Sequence, residues 1–288
     1  MIIENRNIAI AYDFDGTLAP GNMQEYNFIP DLNMDKGEFW REANEMAKKH
    51  DMDEVLAYMH LMLIKAKEQH LDIREGTFMK YGEKITFFEG VESYFERINA
   101  YAAEQNLHLE HFIISSGLRE IVKGTRIAKY FKTVFASGFQ YDDNGIACWP
   151  ALGVNYTNKT QFLFRIEKGT LDVNDPAVND YFPPDRIRVP FRNMVYIGDS
   201  DTDIPCMKLV SANGGHSIGV FNPETGCKEK VQKMLRDRRI RYYAPADYTE
   251  GSELDTLVRQ IIVRTAANEA LETVHNRCTA ETEANSEG

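Results

Sequence analysis

Six polar residues of this chain stand where an apolar run stops or a helix begins, the places at which side chains reach a ligand in an α/β protein. Asp13 and Asp15 follow Ile8-Ala9-Ile10-Ala11-Tyr12, and Ser115 follows Phe112-Ile113-Ile114. Lys159 heads an amphipathic stretch, and Asp199 and Asp203 follow Val195-Tyr196-Ile197. Brought to one crevice, these carboxylates would repel one another unless a cation neutralised them. Oxygen ligands in small number suit Mg²⁺, which keeps several waters and shares substrate phosphate. Taken singly the residues mean little: Asp-Gly pairs mark turns, a serine at a strand end is usually a cap, and a lysine at a helix start is usually solvated. The joint pattern is what points to a site.

The elements that must hold these groups can be read from periodicity. Ile8 to Tyr12 predicts a buried strand opening into a polar loop. Residues 35 to 69 are rich in helix formers, with Met46, Met52, Met59 and Met62 among them, and predict two or more helices with an adaptable core. From Phe88 onward strands and helices alternate. A helix carries Val91, Tyr94, Phe95, Ile98 and Ala102; a strand spans Phe112 to Ile114; a helix carries Leu118, Ile121 and Val122; and Val134 to Ala136 form a strand. Phe139 to Tyr141 and Ile146 to Cys148 predict a hairpin at the sheet's margin, because the Asn144-Gly145 between them tolerates positive φ. A helix starts near Lys159, followed by a polar excursion from Asp172 to Arg192 with four prolines, long enough to be either functional or an insertion. Strand Met194–Ile197, helix Ile204–Val210, strand Ser217–Val220, helix Cys227–Leu235, strand Ile240–Tyr243 and helix Glu253–Leu271 complete the order. Glu272 to Gly288 loses the apolar period and is expected to be disordered.

This alternation predicts an α/β fold, a doubly wound and mostly parallel sheet with helices on both faces. The helical stretch interrupts it after the first strand. The expected division is therefore a core of residues 1–18 and 89–271, with a separate helical cap of residues 19–88.

Asp13-Phe14-Asp15-Gly16-Thr17-Leu18 resembles the DxDGT motif that opens the haloacid dehalogenase-like superfamily. Ile113-Ile114-Ser115 is similar to its second motif, a Ser or Thr closing an apolar strand, with Ser116 as the alternative. Lys159 matches the third motif, and Gly198-Asp199-Ser200-Asp201-Thr202-Asp203 resembles the fourth, GDxxxD. The four occur in the family's order between residue 8 and about residue 245. The resemblance implies a Rossmann-like core with an inserted cap, and hydrolysis of a small phosphomonoester through an aspartyl-phosphate. Asp13 would be the nucleophile. Asp15 would protonate the leaving alkoxide and then activate water; its presence favours phosphatase over dehalogenase chemistry, since the resembled dehalogenases lack an acid there. Ser115 would bind a phosphoryl oxygen and Lys159 would offset the charge of the phosphoaspartate. Mg²⁺ would be held by Asp13, the main-chain carbonyl of Asp15 and Asp199, with Asp203 ordering the outer shell. Gly16 would permit close backbone approach and Thr17 would brace the loop. Ser115-Ser116-Gly117 and the sizeable helical cap lie nearest the phosphoserine phosphatase-like branch. A phosphotransferase or phosphomutase would use the same nucleophile, and a binding protein that keeps the fold without turnover is the reading from another class.

Bulk properties narrow the remaining possibilities. The 288 residues carry a net charge of −11, which disfavours non-specific binding to nucleic acid. The basic run of Lys228, Lys230, Lys233, Arg236, Arg238, Arg239 and Arg241 reads as the solvated face of a helix. No run of eighteen apolar residues could span a bilayer, and the first seven residues lack the basic start and apolar stretch of a secretory signal. Cys148, Cys206, Cys227 and Cys278 lie far apart with no CxxC pair, as expected of free thiols in a reducing compartment. The expected setting is cytoplasmic, with a small phosphorylated metabolite as partner and no nucleic acid or membrane. His50, His60 and His70, spaced by ten, share no helical face and read as structural or solvated.

Overall fold

The computed structural model describes residues 6–286 apart from Asp72. The chain enters through β1 (Asn7–Tyr12) and then builds α1 (Phe28–Asp31), α2 (Lys36–His50), α3 (Glu54–Glu68) and α4 (Glu75–Glu83) before returning through α5 (Val91–Glu104). There follow β2 (His108–Leu118), α6 (Arg119–Lys123), β3 (Phe131–Tyr141), β4 (Ala147–Leu152), α7 (Lys159–Lys168) and β5 (Met194–Gly198). The last elements are α8 (Ile204–Ala212), β6 (His216–Phe221), α9 (Glu229–Arg236), β7 (Tyr242–Pro245) and α10 (Glu253–Ser286). The strands form one seven-stranded sheet in the order β4-β3-β2-β1-β5-β6-β7. Every pairing is parallel except that of β3 with β4, the predicted hairpin, which lies at the margin.

Alternation along β1 explains the two layers. Ile8, Ile10 and Tyr12 join one cluster with Tyr94, Phe95 and Ile98 of α5 and Val258 and Ile261 of α10. Ala9 and Ala11, on the opposite face, join Phe162 and Ile166 of α7, Met207 and Val210 of α8, and Val231 of α9. Successive side chains of a strand point to opposite faces, so one short apolar run serves both cores. Register then sets the level of the polar loops. Tyr12 pairs with Ile113 on one side and with Ile197 on the other, and the Asp13 amide donates to the Ile197 carbonyl at 2.9 Å. Asp13, Ser115 and Asp199, each one or two residues beyond these positions, therefore lie together at the carboxyl edge of the sheet, while β2 itself runs on to Leu118.

The helices between β1 and α5 leave and rejoin the sheet through a stitched neck. The Phe88 amide donates to the Leu18 carbonyl at 3.0 Å, and the Tyr248 hydroxyl donates to the Thr17 carbonyl at 2.9 Å. Asp35 and Asp53 cap α2 and α3, accepting from the amides of Glu38, Val55 and Leu56. The methionines do fill core: Met59 and Met62 are fully buried. Yet the helical segment shares its interior with the rest of the chain. Phe28, Phe39, Tyr58 and Phe78 belong to the same cluster as Ile113, Ile121 and Phe139, and Phe78 stacks on Phe139 with ring centroids 5.6 Å apart.

Several boundaries differ from the sequence expectation. Leu118 ends β2 instead of opening the next helix, α9 starts at Glu229 instead of Cys227, and β7 lies two residues beyond Ile240–Tyr243. The segment from Glu272, expected to be disordered, continues α10 to Ser286; the last two residues lie outside the described residues. The reason is nucleation. The first half of α10 is packed, and extending an existing helix with Ala, Glu and Arg needs no apolar face. The excursion from Asp172 to Arg192 is three short 3-10 turns pinned to α7. Arg165 donates to the carbonyls of Thr170, Asp172, Val173 and Asp175, and Lys168 to those of Val178 and Asp180. All four cysteines are free thiols, and His50, His60 and His70 are exposed.

His111 of β2 supplies a test of this core. It is 1% exposed, with Nδ1 3.0 Å from the Tyr12 hydroxyl and Nε2 2.9 Å from Asn99 Oδ1. Burial pulls its pKa down to about 3, against a weak upward pull from Glu110. The unfolded chain protonates this histidine below about 6.5, the folded one only near 3, so its contribution is complete above 6.5 and is lost as pH falls through that window. Urea unfolding should show wild-type stability dropping from pH 7 to pH 5 by about 2 kcal/mol more than that of His111→Gln. Parallel pH profiles for the two proteins would exclude His111 as the titrating group.

Candidate active site

Lys159 starts α7 and is fully buried, so its ammonium must find charge inside the protein. Nζ lies 3.1 Å from Asp13 Oδ1 and 2.8 Å from Asp203 Oδ1. Burial alone would lower its pKa; the charges of Asp13 and Asp203 overcome that and raise it above the ordinary lysine value. Asp13 is itself buried at the end of β1. Burial and the charge of Asp203 lift its carboxyl to about 6, despite the opposing pull of Lys159.

Asp203 is saturated. Its Oδ1 accepts from Lys159 and from the Tyr196 hydroxyl at 2.9 Å, and its Oδ2 accepts from the Ser200 amide at 3.1 Å and hydroxyl at 2.9 Å. The bond from the Ser200 amide, together with the Asp203 amide donating back to the Ser200 hydroxyl oxygen, forms a capping box at the turn after β5. Only glycine fits at position 198, because a Cβ there would stand 2.7 Å from Asp203 Cγ. Asp199 is the opposite case. Its Oδ1 is buried without a hydrogen-bond partner, and burial, with the charges of Asp203 and Asp13, pushes its carboxyl up to about 8. Ligand oxygens of Asp13, Asp199 and Asp203 all lie within 4.8 Å of one another. Gly16, at φ +76, makes room for them, since a Cβ there would lie 2.4 Å from Asp199 Oδ2.

Asp15 turns toward the helical segment, where its Oδ1 accepts from the Met23 amide at 2.8 Å. Burial and the charge of Asp13 push its carboxyl well above the usual range, while the Met23 amide pulls it down. Ser115 is buried at the far end of β2, and its Oγ accepts from the Gly117 amide at 3.0 Å. Ser116 is partly exposed, and its carbonyl accepts from Tyr58 of α3 and from Ser137. Asp13, Asp15, Ser115, Ser116 and Asp199 line one cleft of about 550 Å³, which Lys230 of α9 also reaches. A second cavity of about 440 Å³ continues from Asp15, Ser116 and Thr202 into α2 and α3. The six singled-out residues thus meet at one edge of the sheet, and among the described residues none of the 172–192 excursion lines either cavity.

The fit to a hard cation rests on the donors themselves. They are all oxygens, the single buried ammonium cannot balance the carboxylates, and Asp199 Oδ1 has no other partner. Asp13 and Asp199 are available for direct contact, whereas Asp203 has its oxygens committed and suits an orienting role. Thr17 departs from expectation: its hydroxyl is buried without a partner, and the loop is braced through its carbonyl instead. Tyr196, Ser200 and Met23 were not singled out from sequence. Tyr196 reads as one more apolar strand residue, and nothing local marks the Met23 amide as the partner of Asp15.

Comparison with known proteins bears on the fold and the family. An uncharacterized protein of Borreliella burgdorferi is 28% identical, over 86% of this chain and 93% of its own. A HAD family hydrolase of Salmonella enterica serovar Typhi superposes with TM-score 0.57 at 15% identity, covering 89% of this chain and 71% of that one. A phosphoserine phosphatase solved as a phospho-aspartyl intermediate analogue superposes with TM-score 0.54 at 14% identity, covering 88% and 99%. These structural likenesses establish the fold. Residues 10–208, well over half of the chain, match the model of the haloacid dehalogenase-like hydrolases, and the protein belongs to that family.

Proposed function

We propose that the protein is a Mg²⁺-dependent phosphatase that hydrolyses a small phosphomonoester through an aspartyl-phosphate on Asp13. The observation that carries this reading is a buried carboxylate, Asp13, hydrogen-bonded to a buried lysine and next to Asp199, whose Oδ1 is buried without a partner. A solvent-shielded carboxylate with one oxygen held is oriented for attack on phosphorus. Mg²⁺, bound through Asp13, Asp199 and the Asp15 carbonyl, would neutralise charge on the phosphoryl oxygens.

The chain's own groups do the rest. An Asp13 oxygen forms a bond to phosphorus as the ester P–O bond breaks, and Asp15, its pKa raised by burial and by Asp13, gives its proton to the departing alkoxide. Asp15, now a carboxylate, takes a proton from the water that attacks phosphorus. The bond from phosphorus to Asp13 breaks, releasing inorganic phosphate and restoring the nucleophile. Lys159 offsets charge on the phosphoaspartate and Ser115 donates to a phosphoryl oxygen. The helices of residues 19–88 serve as the cap over the leaving group, and the reaction belongs to the cytoplasm.

Three outcomes follow. Phosphate release from a panel of phosphomonoesters should stop in excess chelator and return with Mg²⁺, and full turnover in chelator would contradict the metal role. Mg²⁺ should raise the melting temperature of the wild type; at a hundred times Kd the gain is about 2.7 kcal/mol. Asp199→Asn should lose most of that rise, and an undiminished rise would remove Asp199 from the metal site.

Asp13→Asn should abolish turnover, since an amide is a poor nucleophile. A purified variant retaining more than about a tenth of the wild-type rate, a 1.4 kcal/mol effect, would exclude Asp13 as nucleophile. Asp15→Asn should lower turnover of an alkyl phosphate by about a hundred- to ten-thousand-fold. In single-turnover measurements an aryl phosphate, whose phenolate leaves unaided, should suffer less. Equal slowing of both would leave Asp15 without an acid role.

A further inference from the structure

The second cavity adjoins the catalytic cleft at Asp15 and Ser116, on the side of the helical segment. We propose that the protein takes the phosphate ester of a small amino alcohol: a leaving group bearing a primary ammonium and no second anion. This rests on the phosphatase reading above and names the substrate class of the same site.

Charge is the first argument. Among the described residues that line this cavity, the charged ones are all acidic: Asp15, Asp53 and Glu54. No lysine, arginine or histidine is among these described residues, so a carboxylate or second phosphate on the leaving group would meet like charge with no cation to pair it. The carboxylate of Asp53 is held in place, its Oδ1 accepting from the Val55 and Leu56 amides at 3.0 Å each and its Oδ2 from the Asn155 side chain. It is therefore a fixed negative charge on the wall.

Unmet hydrogen bonding is the second argument, and it is independent of the first. Gln24 lines the cavity at 2% exposure, and its Oε1 is buried without a donor. A buried acceptor left unpaired costs about 1 to 3 kcal/mol, so the position favours a ligand that brings N–H groups. The hydroxyl of Tyr58, which also lines the cavity, donates to the Ser116 carbonyl at 2.6 Å and has the Gln24 and Ser137 side chains beside it, so the unpaired acceptor of this wall is Gln24 Oε1. Trp40 and Tyr58 add aromatic surface to the same wall, their rings 5.6 Å apart, and aromatic surface suits a cation. Acceptors, fixed negative charge and aromatic rings together describe an ammonium site. A neutral hydroxyl satisfies only part of it, and a quaternary ammonium would leave Gln24 unpaired.

The volume agrees. About 440 Å³ accommodates a leaving group of a few heavy atoms while the phosphate occupies the adjoining cleft.

The test isolates binding from turnover with phosphonates, whose P–C bond is not cleaved. Calorimetry on the wild-type protein with Mg²⁺ would compare 3-aminopropylphosphonate, 3-hydroxypropylphosphonate and 2-amino-4-phosphonobutanoate. These mimic the aminoethyl ester, its hydroxyl counterpart and the same amine carrying a carboxylate. The amine should bind about fivefold or more tighter than the hydroxyl compound, and by a larger factor over the carboxylate-bearing one. The preference of amine over hydroxyl should shrink about threefold in Glu54→Gln and further in Gln24→Met. Equal affinity for amine and hydroxyl, or tighter binding of the carboxylate-bearing analogue, would overturn the proposal. Phosphate release from the matching esters, run alongside, tells the two readings apart. Turnover with a preference for the carboxylate-bearing ester overturns the ammonium site and leaves the phosphatase standing. Amine-selective binding without any phosphate release upholds the site and contradicts the phosphatase reading.

Discussion

The ammonium of Lys159, enclosed between Asp13 and Asp203, is the interaction on which the rest of the structure depends. A buried charge is tolerated only when paired and hydrogen-bonded, and removing one partner of such a group typically costs about 3 to 5 kcal/mol. The three residues come from the end of β1, the start of α7 and the turn after β5. Their mutual need therefore fixes where those elements end relative to one another. It also sets the electrostatics of the cleft. One lysine serves two carboxylates, Asp199 is left with an orphaned oxygen, and the site retains a negative excess that calls for a further cation.

The sheet makes this convergence possible without strain in the catalytic loops. Parallel pairing of β1 with both β2 and β5 puts Tyr12 level with Ile113 and Ile197, so the next residues of all three strands reach one edge. Glycines at 16 and 198 then let carboxylates approach where a Cβ would collide. Above that edge, α2 and α3 close the second cavity and are tied down at it. Tyr58 of α3 donates to the Ser116 carbonyl and Asn155 donates to Asp53 at the start of α3, while the Met23 amide, ahead of both helices, donates to Asp15. The helical segment and the catalytic edge share one hydrophobic cluster, so position at the site is transmitted through packing as well as through these bonds.

What could be read beforehand follows from which information is local. Strand ends are local: an apolar run stopping at Asp13 or Asp199 marks a strand leaving the core, and Lys159 is marked by the helix it begins; the same kind of run marks Ser115, although β2 continues past it to Leu118. The hairpin was legible because Asn144-Gly145 specifies its own turn. Partnerships across the fold were not. That Tyr196 saturates Asp203, that Met23 holds Asp15, and that Thr17 braces its loop through a carbonyl are all set by packing between distant segments. The end of α10 runs past its sequence expectation for a related reason: loss of apolar period signals loss of burial, and an exposed helix launched from a packed one can continue without it.

The proposed covalent step is tested most directly by finding the phosphoryl group on the protein. Wild-type protein with Mg²⁺, acid-quenched within the first turnover of an aryl phosphate and reduced with borohydride, converts an acyl phosphate into an alcohol that peptide mass spectrometry locates. The account predicts that the reduced residue is at position 13, and that it is missing when substrate is omitted. Product formation at full rate with no reduced residue, or reduction at another carboxylate, would contradict it.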